Sequence, residues 1–230
     1  MLNIATDFIS KTNIIILIGI AVVAIALSTL SSQYYAYTST KIYDIASHEM
    51  DTNSQIQAHD LSQTLSNKFE SISNLLQTLA ESPAIHNNEF KRADIVINTR
   101  QQHSKELTDF YMWIDKNGKM NWISNINQSQ YQKYQDIDLR YKPYFYIPKF
   151  THSAYYSSLL ESNDKIPRLY ISYPVINNTY KDPQGLFTGT VVASMRATTL
   201  GTVLQHQLLP QFNSTVGLLD RKGVILYWSN

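Results

Sequence analysis

Cysteine is absent from this chain of 230 residues. Disulfide bonds, thiolate metal sites and cysteine nucleophiles are therefore excluded. An excess of charge is also absent, because 19 Lys and Arg residues face 18 Asp and Glu residues and the formal net charge is +1. Nucleic acid is not an expected partner, because its recognition needs a basic face.

Motifs of catalysis and of cofactor binding are missing as well. The six histidines form no pair at helical i, i+4 spacing and no cluster, so we expect no metal site. Neither a Gly-x-Ser-x-Gly elbow nor a glycine-rich phosphate loop occurs, so we expect no cofactor and no catalytic site in this chain. What the chain does have is tyrosine, and 16 of them exceed the needs of a core and indicate pockets or interfaces.

Charge is also missing from one long segment, because no charged residue lies between Lys11 and Lys41. The apolar run Ile14–Leu30 would rise about 26 Å as a helix, at about 1.5 Å per residue. Residues 31–37 complete the span and place tyrosines at the outer interface. This pattern predicts a transmembrane helix over 14–37.

The orientation of this helix follows from the few charges that precede it. Lys11 and the amino terminus favour a cytoplasmic segment over residues 1–13 and an extracytoplasmic location for residues 38–230 of a cell-membrane protein. A cleaved signal peptide is an alternative, although the apolar run is long for one. A buried helix of a soluble protein is another, although the run is apolar on all sides.

Glycine and proline are both absent from Lys41 to Glu81, which is rich in polar residues. From Leu61 onward the apolar residues recur at helical steps of three and four. These features predict a long signalling helix over 38–82, ended by Pro83. We expect its distal half to pack on a sheet and its proximal half to pair with a second copy, which would make a homodimer.

A second helix over 88–107 and a hairpin follow the long helix. Phe110–Ile114 and Met120–Ser124 have strand character, and Asn117-Gly118 between them can take the positive φ values of a type I′ turn. Residues 125–138 have the composition of a loop with a short helix.

Three further runs of strand length indicate one antiparallel sheet: Tyr155–Leu159, Pro167–Val175 and Gly189–Met195. A short helix over 199–209 closes this part of the chain. The fold class expected is α+β, with the transmembrane helix running into the long helix and then into an antiparallel sheet with flanking helices.

A hairpin near the end of the chain repeats the first one. Starting at Ser214, it again has an Asp, two residues and a Gly at its turn, at Asp220 and Gly223. A hairpin so near the end cannot complete a sheet. We therefore expect one module over 83–210 and the start of an incomplete second module over 211–230.

The central motifs resemble those of the double Cache family of extracytoplasmic sensor domains, which have a PAS-like fold. The motifs are Lys142-Pro-Tyr-Phe, Tyr156-Ser-Ser, Ile171-Ser-Tyr-Pro-Val and Gly189-Thr-Val-Val-Ala-Ser-Met, in the order of the family. The resemblance covers the chain from about Lys41 onward. It implies a small-molecule sensing module of a membrane receptor, such as a sensor kinase or a chemoreceptor.

The resemblance also implies candidate ligand-binding residues. Members of the family that bind amino acids hold the carboxylate with an Arg that precedes an aromatic pair, and the ammonium with an Asp on the last strand. Here Lys142 stands at the position of the Arg, before Tyr144 and Phe145, and Ser194 stands at that of the Asp. Because Lys lacks the bidentate fork of Arg and Ser cannot balance an ammonium, we expect a carboxylate, another small anion or an uncharged ligand.

Aromatic residues complete the candidate site. For each of them, the simpler interpretation is that it belongs to the hydrophobic core. They are Tyr111, Trp113, Tyr144, Tyr156, Tyr170 and Tyr173. Strand alternation puts Tyr170 with Ser172 on one face and Tyr173 on the other. In the last strand it puts Thr190 and Ser194 on the same face. One face should meet the long helix and the other the ligand, and the sequence does not choose between them.

Two other classes of function stay open at this point. A signal-anchored surface enzyme would have a nucleophile and a base in one pocket. An adhesion protein would have a flat apolar patch and no pocket. An enclosed aromatic pocket without a nucleophile would favour the sensor.

Overall fold

A computed structural model describes residues 2–100, 106–124, 129, 132, 137–162, 164–177, 185–206, 215, 217–220 and 223–228, with side chains from residue 16 onward. The end of the predicted second helix, most of the segment 125–136 and the turn around 182–184 lie outside the described residues. The chain divides into two compact units, Met1–Ala58 and His59–Asn230, which are treated separately.

The first unit is helical throughout its described length and belongs to helix α1, Leu2–Ala80. Its apolar side chains from Ile16 onward are exposed, with more than half of the surface of Leu27 and of Leu30 open. Among the described residues, this helix alone is long and apolar enough to cross a membrane. Exposed apolar side chains on all sides of a helix are compatible with a lipid environment.

The second unit begins with the last turns of α1 and two short helices. Helix α1 ends at Ala80, and helix α2 covers Pro83–His86 and helix α3 covers Phe90–Arg100. Pro83 lies at the start of α2, where its missing N–H costs no hydrogen bond. The prediction that the long helix stops before this proline is therefore confirmed, and the proline also begins the next helix.

The sheet of the second unit is antiparallel, in the strand order β2-β1-β6-β5-β3, with β4 also paired to β5. Helix α4 precedes β3 and helix α5 follows β6. The bounds are β1 Phe110–Asp115, β2 Met120–Ile123, α4 Pro143–Thr151, β3 Tyr155–Tyr156, β4 Leu160–Glu161, β5 Pro167–Asn177, β6 Leu186–Arg196 and α5 Ala197–Gln205. The predicted α+β class is confirmed.

The sheet has a separate core on each face. On the helix face, Ile72, Leu76 and Leu79 of α1 pack with odd-numbered residues of β5 and β6, such as Ile171 and Val191. On the opposite face, even-numbered residues pack beneath α4. Cross-strand partners share a face because side chains alternate along a strand, so the regular pairing from Arg168↔Arg196 to Val175↔Gly189 assigns these residues to one core or the other.

The turn between β1 and β2 differs from the predicted type I′ turn. Among the described residues, Gly118 has a φ of 79° and Asn117 is not in the positive-φ region. The Gly118 amide donates to the carbonyl of Asp115, and the Asp115 carboxylate accepts from the amides of Asn117 and Lys119. The connection is therefore a longer turn ended by a left-handed glycine, and its geometry does not require a positive φ at Asn117.

The hairpin of β7, Gly217–Leu219, and β8, Ile225–Trp228, has the same turn. The Gly223 amide donates to the carbonyl of Asp220, and the Val224 amide donates to the Asp220 carboxylate. The repeat predicted from sequence is therefore also seen in the hydrogen bonds of the two turns. The two strands form a sheet of their own.

Helix α5 supports this second hairpin at Gly201. A Cβ atom at Gly201 would lie 1.9 Å from the ring of Tyr227, so only a glycine admits the ring at this distance. The Tyr227 hydroxyl donates to Oε1 of Gln205 over 2.7 Å. Leu218 packs against the helix-face core.

A cluster of charges joins the ends of β1, β5 and β6. The Arg168 guanidinium, whose side chain is 3% exposed, donates to Asp109 Oδ2 over 3.0 Å and forms two hydrogen bonds to Asp164. Arg196 donates to the same Asp109 oxygen over 2.8 Å. Two guanidinium groups and two carboxylates balance in charge, as a buried ionic group requires.

The ionisation of Asp164 depends on this cluster. Burial alone would raise the pKa of its carboxyl, but hydrogen bonds from Arg168 and from the Ile166 amide outweigh burial, and the pKa lies below its ordinary value. A group with a depressed pKa contributes stability above its unfolded-state pKa and loses it as the pH falls through the folded-state pKa. The cluster is therefore intact at neutral pH and dissolves only in acid.

We expect Asp164→Asn to lower the free energy of unfolding at pH 7 by about 1.5–3 kcal/mol, the range for a hydrogen bond to a charged group. The difference from the parent should shrink as the pH falls below about 4, because the parent carboxylate is then protonated too. Denaturant unfolding at a series of pH values measures both quantities.

Asp138→Asn is the matched control for this substitution. Asp138 pairs with Arg140 on the surface, and hydrogen bonds from Arg140 lower its pKa to about 2. Water screens this exposed pair, so its loss should leave the denaturation midpoint unchanged. Equal effects of the two substitutions would contradict the role given to the buried cluster.

We expect Gly201→Ala to release the second hairpin from α5. Alanine favours a helix over glycine by about 1 kcal/mol, but a methyl group inside an aromatic ring costs about 1–3 kcal/mol of overpacking. Amide hydrogen exchange should therefore become faster in β7 and β8 only, because an isolated hairpin is marginally stable. In a Tyr227→Ala background the ring is gone, and the same change should stabilise the protein. Destabilisation in both backgrounds would show that the ring contact does not hold the hairpin.

Candidate functional site

The face of the sheet beneath α4 carries the residues that the resemblance pointed to. Its core contains Phe110, Met112 and Ile114 of β1, Tyr170 of β5 and Val192 of β6, covered by Leu139, Tyr144 and Phe145. Helix α4 lies here because Pro143 occupies its first turn, where a proline fits, and because Tyr144, Phe145 and Pro148 form its buried side. We name this side of the sheet the hydroxyl face, after the groups described next.

Three hydroxyl groups on this face are buried without a hydrogen-bond partner in the described part of the chain. They belong to Ser172 of β5 and to Thr190 and Ser194 of β6, and each residue is 0% exposed. A buried hydroxyl without a partner costs about 1–3 kcal/mol. In folded proteins such groups are completed by an ordered water or by a bound molecule.

The strand register brings these three hydroxyls close together. Ser172 is directly opposite Val192, while Ser194 is opposite Tyr170 and Thr190 is opposite Pro174. Ser172 is therefore the diagonal neighbour of both other hydroxyl residues, at the usual spacing of about 7–8 Å or less. Thr190 and Ser194 are four residues apart along β6, about 13 Å at the usual rise of a strand. A molecule of a few heavy atoms beside Ser172 could therefore contact one of them, and only a longer molecule could contact both.

Aromatic rings surround the hydroxyls. The rings of Tyr144 and Tyr170 are 4.5 Å apart between centroids, and those of Phe145 and Phe187 meet edge to face at 5.7 Å. Tyr155 pairs with Ser172 from β3 and so shares the face. Burial, with a smaller contribution from Tyr146, raises the pKa of the Tyr155 phenol, which therefore stays neutral at physiological pH.

Lys142 lies at the entrance to α4, as its N-cap residue. It is half-buried, and its Nζ lies 5.2 Å from the centre of the Tyr141 ring. Arg140, two residues earlier, is held by three side-chain hydrogen bonds to Asp138 and so points its charge at that carboxylate.

The structure divides the predicted site residues between the two faces. Tyr144, Tyr170 and Ser194 come together on the hydroxyl face. Tyr111 and Trp113 pack in the helix-face core with α1, and the Tyr111 hydroxyl is hydrogen-bonded to Thr108. Their role in ligand binding stays a prediction, and the site proposed below does not include them.

The two remaining tyrosines also lie away from the hydroxyls. Tyr173 packs against the helix-face core, where burial and the nearby charge of Glu81 raise the pKa of its phenol. Tyr156 pairs with Ile171 on the edge of the sheet, is 45% exposed and shares the parity of the helix face. Neither contacts the hydroxyl cluster through the sheet.

Sequence reasoning did not include Ser172 and Thr190 among the site residues. Alternation along the strands already placed Ser172 with Tyr170, and Thr190 with Ser194. The signal that could have found them is the recurrence of small hydroxyl residues on the same face of two strands that are otherwise apolar and aromatic.

No family model matches the chain, and no curated protein matches it. Solved structures do match. An extracellular ligand-binding receptor from Desulfohalobium retbaense is 17% identical with a TM-score of 0.56, over 73% of this chain and 30% of its own.

Two sensor domains match over more of their own length. The sensor domain of the Vibrio cholerae histidine kinase DctB is 16% identical with a TM-score of 0.58, over 78% of this chain and 66% of its own. The ligand-binding domain of the Campylobacter jejuni chemoreceptor Tlp3, solved with 4-methylisoleucine, is 16% identical with a TM-score of 0.54. The match covers 76% of this chain and 67% of that domain. The chain thus spans about a third to two thirds of the length of these structures. Its fold is that of the ligand-binding domains of chemoreceptors and histidine kinases, as the resemblance to the double Cache family predicted.

Proposed function

We propose that this chain is the extracytoplasmic, small-molecule sensing part of a membrane receptor. The observation that carries the proposal is the group of three buried, unpartnered hydroxyls beneath α4, in a fold shared with ligand-binding domains. A ligand that completes their hydrogen bonds would be recognised and enclosed at the same place. The aromatic rings around the hydroxyls would supply the apolar walls of such a site.

The ligand that suits this site is a carboxylate, another small anion or an uncharged polar molecule. Hydroxyl groups both donate and accept, so Ser172, Thr190 and Ser194 fit a carboxylate oxygen, a carbonyl or a hydroxyl equally. Solved neighbours include a chemoreceptor domain with an amino-acid derivative. An α-amino acid suits this chain less well, because Ser194 offers no negative charge to an ammonium group. Lys142 at the entrance would attract an anion as a single point charge.

Ligand binding would be communicated through the sheet to α1. The same strands that carry the hydroxyls present their odd-numbered residues, such as Ile171 and Val191, to Leu76 and Leu79 of α1. A ligand that draws β5 and β6 toward α4 would therefore change the packing on the helix. Because α1 is continuous in sequence with the apolar segment, it is the element that would carry the signal, and a homodimer through the long helix would let two copies move together.

The receptor would lie with its amino terminus in the cytoplasm and residues 38–230 outside. Support comes from the uncharged segment, from Lys11 before it and from a fold found in extracellular sensors.

We expect Ser194→Ala to stabilise the ligand-free protein, or to leave it unchanged, while it weakens ligand binding. The hydroxyl has no hydrogen bond to lose, so its removal should raise the free energy of unfolding by up to about 1–2 kcal/mol. A thermal-shift screen of the full chain in detergent, with carboxylates, amino acids and uncharged metabolites, would identify the ligand, because a bound ligand raises the midpoint. Affinity for that ligand should then fall about two- to tenfold in the variant.

Ser157→Ala is the matched control for this test. Ser157 is also buried next to the hydroxyl face, but its Oγ accepts a hydrogen bond of 2.7 Å from the Tyr170 amide. Its removal should cost about 1–3 kcal/mol, because that amide is left unpaired. If Ser194→Ala were as destabilising as the control, the Ser194 hydroxyl would have a structural partner and the proposed site would lose its basis.

We expect a reporter enzyme that works only outside the cytoplasm to be active when it is fused after Asn230. The physical reason is the uncharged segment between Lys11 and Lys41, which would hold the second unit on the outer side. The same reporter fused within residues 1–13 should be inactive. Activity of a cytoplasm-specific reporter after Asn230 would overturn the proposed orientation.

A further inference from the structure

A cleft of about 690 Å³ lies at one end of the sheet, away from the hydroxyl cluster. It is formed where the β1–β2 turn and the ends of β5 and β6 meet the segment after α1. Ser172, Thr190 and Ser194 are not among its lining residues. Its volume is in the range of about 300–1,000 Å³ that is common for small-molecule sites.

Asparagine dominates the lining of this cleft, with the side chains of Asn87, Asn88, Asn117, Asn121 and Asn177. All five are exposed. Each primary amide presents both donors and an acceptor. The cleft therefore offers an array of neutral groups that can bind donors and acceptors together.

The charged groups of the lining are few and already engaged. Asp115 accepts hydrogen bonds from the turn amides, and Glu81 accepts one from Gln77. Lys116 faces the two carboxylates Glu81 and Asp115 in the lining, so the formal net charge of these groups is −1. Strongly charged ligands gain little from such a lining.

Irregularities in the two strand pairs place side chains in this cleft. The pairing Trp113↔Trp122 is followed by Ile114↔Met120, which leaves Asn121 as the extra residue of a bulge. The pairing Val175↔Gly189 is followed by Ile176↔Phe187, which leaves Thr188 as another. Both extra residues line the cleft. Bulges re-aim side chains, and they are common next to functional sites.

The second hairpin shows that the first bulge does not need an asparagine. In that hairpin Leu218↔Tyr227 is followed by Leu219↔Ile225, so Leu226 is the extra residue at the position equivalent to Asn121. The turns of the two hairpins have the same hydrogen bonds. The geometry of the hairpin therefore does not require the amide of Asn121, and this amide is available to bind a ligand.

The wall of the cleft also contains an unsatisfied donor. Trp113 lines it and is 4% exposed, and its indole N–H has no hydrogen-bond partner in the described part of the chain. The nitrogen itself is buried, so Trp113 serves as a reporter of the cleft and not as a hydrogen-bond donor to a molecule in it.

We propose that this cleft is a second binding site, for a neutral saccharide. Primary amides suit the adjacent hydroxyls of a sugar, which also donate and accept. A peptide strand would pair with the edge of β2 through main-chain hydrogen bonds and would make no use of the amide side chains of the lining. The site is independent of the ligand site beneath α4.

The experiment is a titration of the full chain in detergent with glucose, N-acetylglucosamine, cellobiose and N,N′-diacetylchitobiose. Labelling with ¹⁵N-tryptophan gives one indole N–H signal for each of the 3 tryptophans, and Trp113→Phe identifies that of Trp113. We expect at least one saccharide to shift this signal at concentrations up to about 50 mM, at which a site of millimolar Kd is nearly saturated.

Asn121→Leu, which installs the residue of the second hairpin, should weaken that saccharide about three- to tenfold, the loss expected for one hydrogen bond. Asn74→Leu, on the exposed side of α1 outside the cleft, is the control and should bind as the parent does. Ser194→Ala should also leave saccharide binding unchanged, which separates this site from the one beneath α4. The proposal is overturned if none of the four saccharides shifts the Trp113 signal, or if Asn121→Leu has no effect.

Discussion

The pairing of β5 with β6 is the constraint on which the rest of the second unit depends. Both strands have eleven residues, and both of their faces are buried, one under α1 and the other under α4. A slip of one residue would bring Ser172 to the helix and Ile171 to the hydroxyl face. Such a slip would bury polar groups in one core and remove the aromatic contacts of the other, so the register is strongly specified. The Arg168 cluster fixes the same register at the end of the strands, because it joins Arg168 and Arg196 through one carboxylate.

Much of the fold could be predicted because its signals are local. The helical stripe after Leu61 and the alternation in β5 and β6 are properties of neighbouring residues, and the structure confirms both elements. The turn at Asn117-Gly118 was assigned wrongly, although Asn-Gly is a strong hairpin signal. The reason is that a turn type depends on which residues pair on either side, and here Asp115 pairs with Lys119, so the loop is longer than two residues.

The site could be predicted only in part, because its residues are those of β5 and β6 that face α4, and the sequence does not show which face that is. Alternation groups Tyr170 with Ser172 and separates them from Tyr173, but it does not reveal which group meets α1. That choice is made by α4, whose Tyr144 ring lies 4.5 Å from the Tyr170 ring between centroids, although the two residues are far apart in sequence. No local pattern contains this contact, and it is visible only in the packed chain. The bulges at Asn121 and Thr188 were equally hidden, since a bulge is a relation between two strands.

The two faces of β5 and β6 have different roles, so a substitution on one face need not disturb the packing of the other. Ser172 of β5 and Thr190 and Ser194 of β6 face the proposed ligand, and their odd-numbered neighbours, such as Ile171 and Val191, meet the helix that contains the apolar segment. Substitutions at the even positions can therefore alter what is bound without repacking the helix. A receptor built in this way can acquire a new ligand in small steps while its means of transmission stays intact, and the same separation makes the strands a suitable place to redesign specificity.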